Sequence, residues 1–360
     1  MGELRLMKGN EAIAEAAIRA GCDGYFGYPI TPQSEVMEYL MAEKPHERTG
    51  MVVLQAESEV ASINMLYGGA GTGKKVMTSS SSPGISLMQE GISYMAGAEL
   101  PAVVVNVVRG GPGLGTIQPS QADYFQAVKG GGHGDYKMIV YAPASVQEMS
   151  DHVKLAFDKA FQYRTPVMIL SDGAIGQMME KVELFDPIPR RTDEEVIAAC
   201  PWASTGRPKT RNHNIITSLD LDPAGQEKVN LKLQEKYRMM EQNEVMYEEI
   251  MTSDAEYLFV AFGLSARICQ KATDIARAKG IKVGLFRPIT LFPFPTVQIA
   301  ATGSRVKGIL VVEMNAGQMI EDVRLSLGCK VKIEHFGRFG GIIPSPDEVA
   351  KALEQKIIGG

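Results

Sequence analysis

The stretch PAVVVNVVR, residues 101–109, sets the tightest limit on the fold. Its apolar residues do not alternate with polar ones, so a strand built from it is buried on both faces. Such strands belong to parallel sheets with helices above and below. The flanking segments extend this pattern. NEAIAEAAIRAG reads as an amphipathic helix with Asn10 as cap and Gly21 as stop. A strand to Tyr28, a helix from Gln33 to about Glu43, the strand MVVLQA, the helix ESEVASINMLYGGAG, the strand KKVMTSS and the helix GISLMQEGISYMAG come next. After the apolar strand, KMIVYAP, SVQEMSDHVKLAFDKAFQYR and PVMILSDG continue the alternation. Strands and helices in turn predict a doubly wound α/β domain.

The rhythm breaks in a polar, proline-rich stretch that carries the only tryptophan, Trp202, and then a charged helix, QEKVNLKLQEKYRMMEQNEVMYEEIM. It resumes with EYLFVAFG, SARICQKATDIARAKG, KVGLFRP, GILVVEM, a helix near 317–327, KVKIEHF and a last helix from Pro346. The expected division is a first α/β domain over 1–189, a surface-packed linker with a charged helix over 190–252, and a smaller α/β domain over 253–360.

A net charge of -5 argues against nucleic acid as the main partner, since phosphate binding needs a basic face. The N-terminus MGELRLMKGN has no signal-like apolar core, and no apolar run reaches membrane-spanning length, so the expectation is a cytoplasmic protein with no membrane partner. Cys22, Cys200, Cys269 and Cys329 form no Cys-x-x-Cys pair. Buried reduced thiols are expected rather than a zinc or iron–sulfur site within this chain.

Three glycine-rich stretches could carry chemistry. GGAGTGKK, Gly68 to Lys75, resembles a P-loop but has Lys75 where Ser or Thr must hold magnesium, and it leaves a helix rather than a strand. A helix stop with solvated lysines is the better reading. RGGPGLGTIQPSQADYF follows the apolar strand and so lies at its carboxyl end, where ligands of open α/β sheets gather. Arg109 at its head suggests a carboxylate or phosphate partner. KGGGHGDY carries His133, which is expected to be merely exposed.

Two further places stand at strand ends. In YPITPQSEV, Pro29 and Pro32 bracket Ile30 and Thr31 and hold them in a stiff extended turn. In QAESEVASINMLYGG, Glu57 and Glu59 sit at a strand-to-helix junction; Ile63, Leu66 and Tyr67 continue the Glu59 face, which places Glu59 on a buried surface. Thr31, Glu59 and Arg109 thus share the carboxyl edge of one sheet: a hydroxyl, an acid and a cation.

GYPITPQSEV, QAESEVASINMLYGGAGTGKKVMTSSSSPGISLM, VVNVVRGGP, VVEMNAGQMIEDVR and GRFGG together resemble the α subunit of 2-oxoacid:ferredoxin oxidoreductases, over nearly the whole chain. Within the family the chain is most similar to the branched-chain type, which acts on 3-methyl-2-oxobutanoate (2-ketoisovalerate). The resemblance implies a pyrimidine-type thiamine diphosphate domain followed by a transketolase C-terminal-like domain. It implies a cofactor shared with a β subunit that holds diphosphate and Mg2+, together with a γ subunit, an iron–sulfur subunit, ferredoxin and coenzyme A. The β-subunit motif begins Gly-Asp-Gly; the stretch nearest to it here, SDGAIG at Ser171, lacks the leading glycine, and no asparagine lies between Gly173 and Arg211.

By the same resemblance, Glu59 is the catalytic, cofactor-binding carboxylate that hydrogen-bonds the pyrimidine ring nitrogen, with Glu57 as the alternative two residues away. Thr31 and Arg109 bind the 2-oxoacid, Arg109 through its carboxylate. EMNAGQM and GRFGG are expected as subunit contacts. Other readings are the same family acting on 2-oxoglutarate, pyruvate or an arylpyruvate, and a non-catalytic scaffold subunit.

Overall fold

A computed structural model describes residues 3–207, 209, 211–328 and 330–359; Cys329 lies outside them. The chain opens with β1 (Glu3–Lys8), which the hydrophobic pattern does not announce. The doubly wound core follows. Strands β2 (Gly24–Gly27), β3 (Val52–Gln55), β4 (Val76–Ser80), β5 (Ala102–Val108), β6 (Ile139–Tyr141) and β7 (Pro166–Asp172) lie parallel in the order β6-β7-β5-β4-β2-β3. Every residue of β5 and of β7 is buried, as continuous apolar runs require. Helix Gly9–Arg19 packs on helix Val146–Tyr163, and Glu59–Gly71 packs on Pro83–Gly97. β8 (Met179–Leu184) returns antiparallel to β1 as a two-stranded outer sheet.

Helix Pro223–Asn243 starts from Asp222, whose carboxylate accepts the N–H groups of Ala224 and Gly225. It lays Leu233, Lys236, Tyr237 and Met240 onto the first domain, and Lys236 pairs with Glu99 at 2.7 Å. Strand β9 (Tyr247–Ile250) then joins a second sheet with β10 (Tyr257–Val260) and β11 (Val283–Pro288). The next strand leaves it again. β12 (Thr290–Phe292) pairs antiparallel with β6, extending the first sheet from within the C-terminal half. β13 (Gly308–Glu313) and β14 (Lys332–Gly337) complete the second sheet in the order β14-β13-β10-β11-β9. The two halves therefore exchange strands across their boundary. Among the described residues, no helix is long and apolar enough to cross a membrane.

Several local expectations change. Asn10 is not the first helix's cap but lies inside its first turn, fully buried, donating to the Pro32 carbonyl at 2.7 Å and to Glu35 at 3.0 Å. The glycine turn after helix Glu59–Gly71 is a helix stop, with Gly73 at φ +77, but its lysines are not simply solvated. Lys75 donates to the Ala20 carbonyl, and Lys74 pairs with Asp193. Glu313–Met319 makes contacts within the chain while leaving Ala316 exposed, so a role at a subunit contact stays open. The Glu313 carboxylate is fully buried and accepts the N–H groups of Met319 at 2.8 Å and Ile320 at 3.2 Å, together with the Asn315 amide at 3.0 Å. Burial raises its pKa above the usual carboxylate range, and the backbone donors offset part of that shift. Gly340 and Gly341 of GRFGG pack against Gly110, Thr116 and Gln118 of the same chain.

Candidate active site

Because β2, β3, β4 and β5 are parallel neighbours, their carboxyl ends open on one edge. The segments leaving that edge are Tyr28–Gln33, Glu57–Glu59, Ser81–Ser82 and Arg109 onward.

Ser58 caps helix Glu59–Gly71 by accepting the Ala61 N–H at 3.2 Å. This sets the two acids apart. Glu57 is exposed and accepts the Ser58 hydroxyl at 2.9 Å, whereas Glu59 opens the helix and is only 7% exposed. The Glu59 carboxylate has no hydrogen-bonding or ionic partner among the described residues. It lies over Gly84: a Cβ there would stand 2.9 Å from Glu59 Oε1 and 2.1 Å from Ser80 Oγ. The Ser80 and Ser81 hydroxyls are buried and also without partners. A helix-opening carboxylate, orphaned hydroxyls and a missing side chain fit a polar ring from outside the chain, as the pyrimidine of thiamine diphosphate would be.

Ser82 has φ +25, a region that non-glycine residues avoid. In that conformation its N–H meets Asn106 Oδ1 at 3.1 Å and its hydroxyl accepts the Arg109 N–H at 3.0 Å. Asn106 is held in turn by donating to Asp123 at 2.9 Å. Arg109 is buried. Its guanidinium donates to the carbonyls of Thr31 and Leu114, both at 2.9 Å, while its buried Nε has no partner. No carboxylate pairs with it among the described residues. A buried guanidinium without a counter-ion is a ready anion site.

Thr31 is exposed, and it meets Arg109 through its carbonyl. Its turn is fixed by more than its prolines. Gln33, fully buried, donates to the Tyr28 carbonyl at 3.1 Å and accepts from Ser79 at 2.6 Å, and Ser79 meets Tyr25 OH at 2.7 Å. Asn10 and Gln177 hold the Pro32 carbonyl. The sequence offers no signal for Asn10, Gln33 or Asn106 as site supports beyond their being polar in apolar surroundings. The run Ser79–Ser82 is a visible signal: four consecutive hydroxyls at the carboxyl end of a buried strand.

His133 is exposed in its glycine loop, in a groove with Tyr67, Tyr94 and Leu219. Asp172, in the stretch nearest a Gly-Asp-Gly motif, is spent as a cap: Oδ1 accepts the N–H groups of Ala174 at 2.9 Å and Ile175 at 3.1 Å. Burial pushes its pKa up to about 6. Cys22, Cys200 and Cys269 are free and buried.

A doubly wound parallel α/β domain followed by a smaller α/β domain defines the class of fold. The split-gene transketolase solved as an inactive β4 tetramer shares the fold, with TM-score 0.60 over 98% of each chain at 12% identity. The family described as pyruvate flavodoxin/ferredoxin oxidoreductase, thiamine diphosphate-binding, matches residues 15–251, and pyruvate:ferredoxin oxidoreductase core domain II matches 255–349. The ketoisovalerate oxidoreductase subunit VorB of Methanothermobacter marburgensis is 51% identical over 98% of this chain and 97% of its own. The 2-oxoglutarate synthase subunit KorA of Archaeoglobus fulgidus is 36% identical over 99% of this chain and 100% of its own. The 2-oxoglutarate:ferredoxin oxidoreductase from Magnetococcus marinus superposes with TM-score 0.85 at 28% identity, covering 99% of this chain and 66% of that one. The chain belongs to this family and is a subunit of a 2-oxoacid:ferredoxin oxidoreductase.

Proposed function

We propose that this chain is the α subunit of a cytoplasmic oxidoreductase that oxidatively decarboxylates 3-methyl-2-oxobutanoate and related branched-chain 2-oxoacids. Products are the acyl-coenzyme A and electrons delivered to ferredoxin. The observation that carries this reading is a pair of buried groups at one sheet edge: the Glu59 carboxylate, which has no partner among the described residues, and the Arg109 guanidinium, which has no counter-ion there. Its substrate rests on likeness to a ketoisovalerate oxidoreductase subunit at 51% identity.

When bound, thiamine diphosphate supplies the carbon nucleophile and electron sink that decarboxylation needs. Glu59 holds the pyrimidine ring nitrogen through its carboxylate, as general acid–base partner. Gly84 keeps the space beside it open, and Ser80 and Ser81 offer their orphaned hydroxyls to the same ring. Arg109 receives the 2-oxoacid carboxylate with the N–H groups it has not given to Thr31 and Leu114. The Thr31 hydroxyl, exposed on its fixed turn, binds the same end of the substrate. The carbonyls of Thr31 and Leu114 orient the guanidinium before substrate arrives.

Mg2+ and the diphosphate fall to a β subunit and the iron–sulfur clusters to another chain, with a γ subunit completing the assembly. No nucleic acid or membrane is involved. The chain divides at 1–189, 190–252 and 253–360, a reading supported by family matches over 15–251 and 255–349. The second reading keeps the site and changes the substrate to 2-oxoglutarate, as relatives of 36% identity are named for it. The test is coenzyme A-dependent ferredoxin reduction by the assembled complex on a panel of 2-oxoacids. Higher kcat/KM for 3-methyl-2-oxobutanoate supports the first reading, and higher kcat/KM for 2-oxoglutarate replaces it with the second.

A further inference from the structure

The loop that carries the candidate substrate arginine has two ends, and they are anchored in different domains. At one end Arg109 continues β5 and is pinned by Ser82. The loop then closes on itself. The Gly110 N–H meets the Gln118 carbonyl at 2.9 Å, the Thr116 N–H meets the Gly110 carbonyl at 2.7 Å, and Arg109 bridges Pro119. Directly after Pro119 come Ser120 and Gln121, both buried.

Gln121 uses nearly all of its polar capacity on the C-terminal half. Its Nε2 donates to the Phe262 carbonyl at 2.8 Å, and its Oε1 accepts the Ser265 hydroxyl at 2.7 Å and the Met314 N–H at 3.0 Å. Its own N–H donates to the Met314 carbonyl at 3.0 Å, and its carbonyl accepts the Asn315 amide at 2.8 Å. The Ser120 hydroxyl also reaches the Met314 carbonyl, at 3.1 Å. Met314 and Asn315 are in turn fixed by the turn wound around the buried Glu313. From the other side Gly340 and Gly341 touch the loop.

We infer that Gln121 is a positioning residue for the 2-oxoacid: it makes the C-terminal domain the second anchor of the Arg109 loop. The inference rests on the reading of Arg109 as the substrate clamp. Arg109 reaches Leu114 in the middle of this loop, so a loop free at one end no longer presents the Leu114 carbonyl to the guanidinium. The C-terminal domain thus acts on substrate binding without supplying a group that touches it.

The experiment compares two substitutions at the same domain boundary in the assembled complex. Gln121→Ala removes three side-chain hydrogen bonds next to the loop. Tyr124→Phe removes the part-buried bond to Asp322, at 2.6 Å, three residues further on. The expected result is that Gln121→Ala raises KM for the 2-oxoacid about tenfold, one hydrogen bond's worth, while kcat and KM for coenzyme A change less. Amide exchange over 110–119 speeds up in the substrate-free complex. Tyr124→Phe lowers thermal stability and leaves both readouts at wild-type values. Should Gln121→Ala not assemble, Ser265→Ala, which removes one donor to Oε1, shifts the same readouts by a smaller factor. Unchanged exchange over 110–119 in Gln121→Ala, or an equal KM rise in Tyr124→Phe, overturns the inference. If the wild-type complex turns over no 2-oxoacid, the functional reading falls, and the exchange data still decide whether Gln121 anchors the loop.

Discussion

Replacing Glu59 by Gln should make the enzyme worse and the subunit no less stable. The side chain is 7% exposed, opens a helix, and meets no donor among the described residues. A buried polar group without a partner costs about 1–3 kcal/mol. Glutamine keeps the volume and removes the charge, so the folded subunit should gain up to ~1–2 kcal/mol. The helix N-terminus opposes this slightly, since a first-turn carboxylate contributes roughly 0.3–1 kcal/mol there. Activity should move the other way. Loss of a positioned acid–base group costs about 10²–10⁴ in turnover, or roughly 2.7–5.5 kcal/mol of transition-state stabilisation. The assays are ferredoxin reduction by the reconstituted complex and urea unfolding of the subunit, with Glu57→Gln as the exposed control. Wild-type turnover in Glu59→Gln with impaired Glu57→Gln would shift the site by two residues. A variant that is both fully active and markedly less stable would make Glu59 an ordinary structural carboxylate.

Arg109→Lys should lower kcat/KM for the 2-oxoacid about ten- to hundred-fold, because a bond to a charged group is worth roughly 1.5–3 kcal/mol and lysine cannot hold the Thr31 and Leu114 carbonyls while gripping a carboxylate; weakened thiamine diphosphate binding with unchanged kcat/KM would move Arg109 to the cofactor. Gly84→Ala places a methyl 2.9 Å from Glu59 Oε1 and 2.1 Å from Ser80 Oγ, so turnover should drop together with ~1–3 kcal/mol of stability, and wild-type kinetics would show the space beside Glu59 to be unused. The isolated chain should bind thiamine diphosphate weakly, since Asp172 is a helix cap; micromolar affinity by calorimetry would contradict this. His152 is buried against Tyr141, and desolvation lowers its pKa to about 4. The unfolded chain then binds the proton more readily, so this contribution is present above about pH 6.5 and is lost as pH falls through 4, a total of roughly 3 kcal/mol. Asp172, raised to about 6, acts with the opposite sign by losing stability as pH rises. The difference in urea midpoint between wild type and His152→Phe from pH 7.5 to 4.5 isolates the histidine, and a pH-independent difference would refute its buried neutral state.

Much of this protein is legible in short windows. The run Ala102–Val108 is apolar on both sides of the strand, and that alone demands a covered parallel sheet. Parallel strands then place Thr31, Glu59 and Arg109 on one edge, so three separated residues share that edge before any contact is known. Periodicity puts Glu59 on a face with Ile63 and Leu66 but leaves Glu57 as an alternative, and the burial of Glu59 against an exposed Glu57 comes from the structure.

What the tertiary structure alone decided is non-local pairing. Nothing in Thr290–Phe292 says that it leaves the sheet of its own half to pair with Ile139–Tyr141, because strand partners are chosen by the whole packing and not by the strand. Asn10, Gln33 and Gln121 look like surface residues in the sequence. They are buried because distant carbonyls and hydroxyls meet their amides, at Pro32, at Tyr28 and Ser79, and at Phe262, Ser265 and Met314. A buried amide is stable only when such partners exist. Those partners come from elements separated along the chain, so hydrophobic periodicity cannot report them, and only the assembled fold shows which polar residues hold the site.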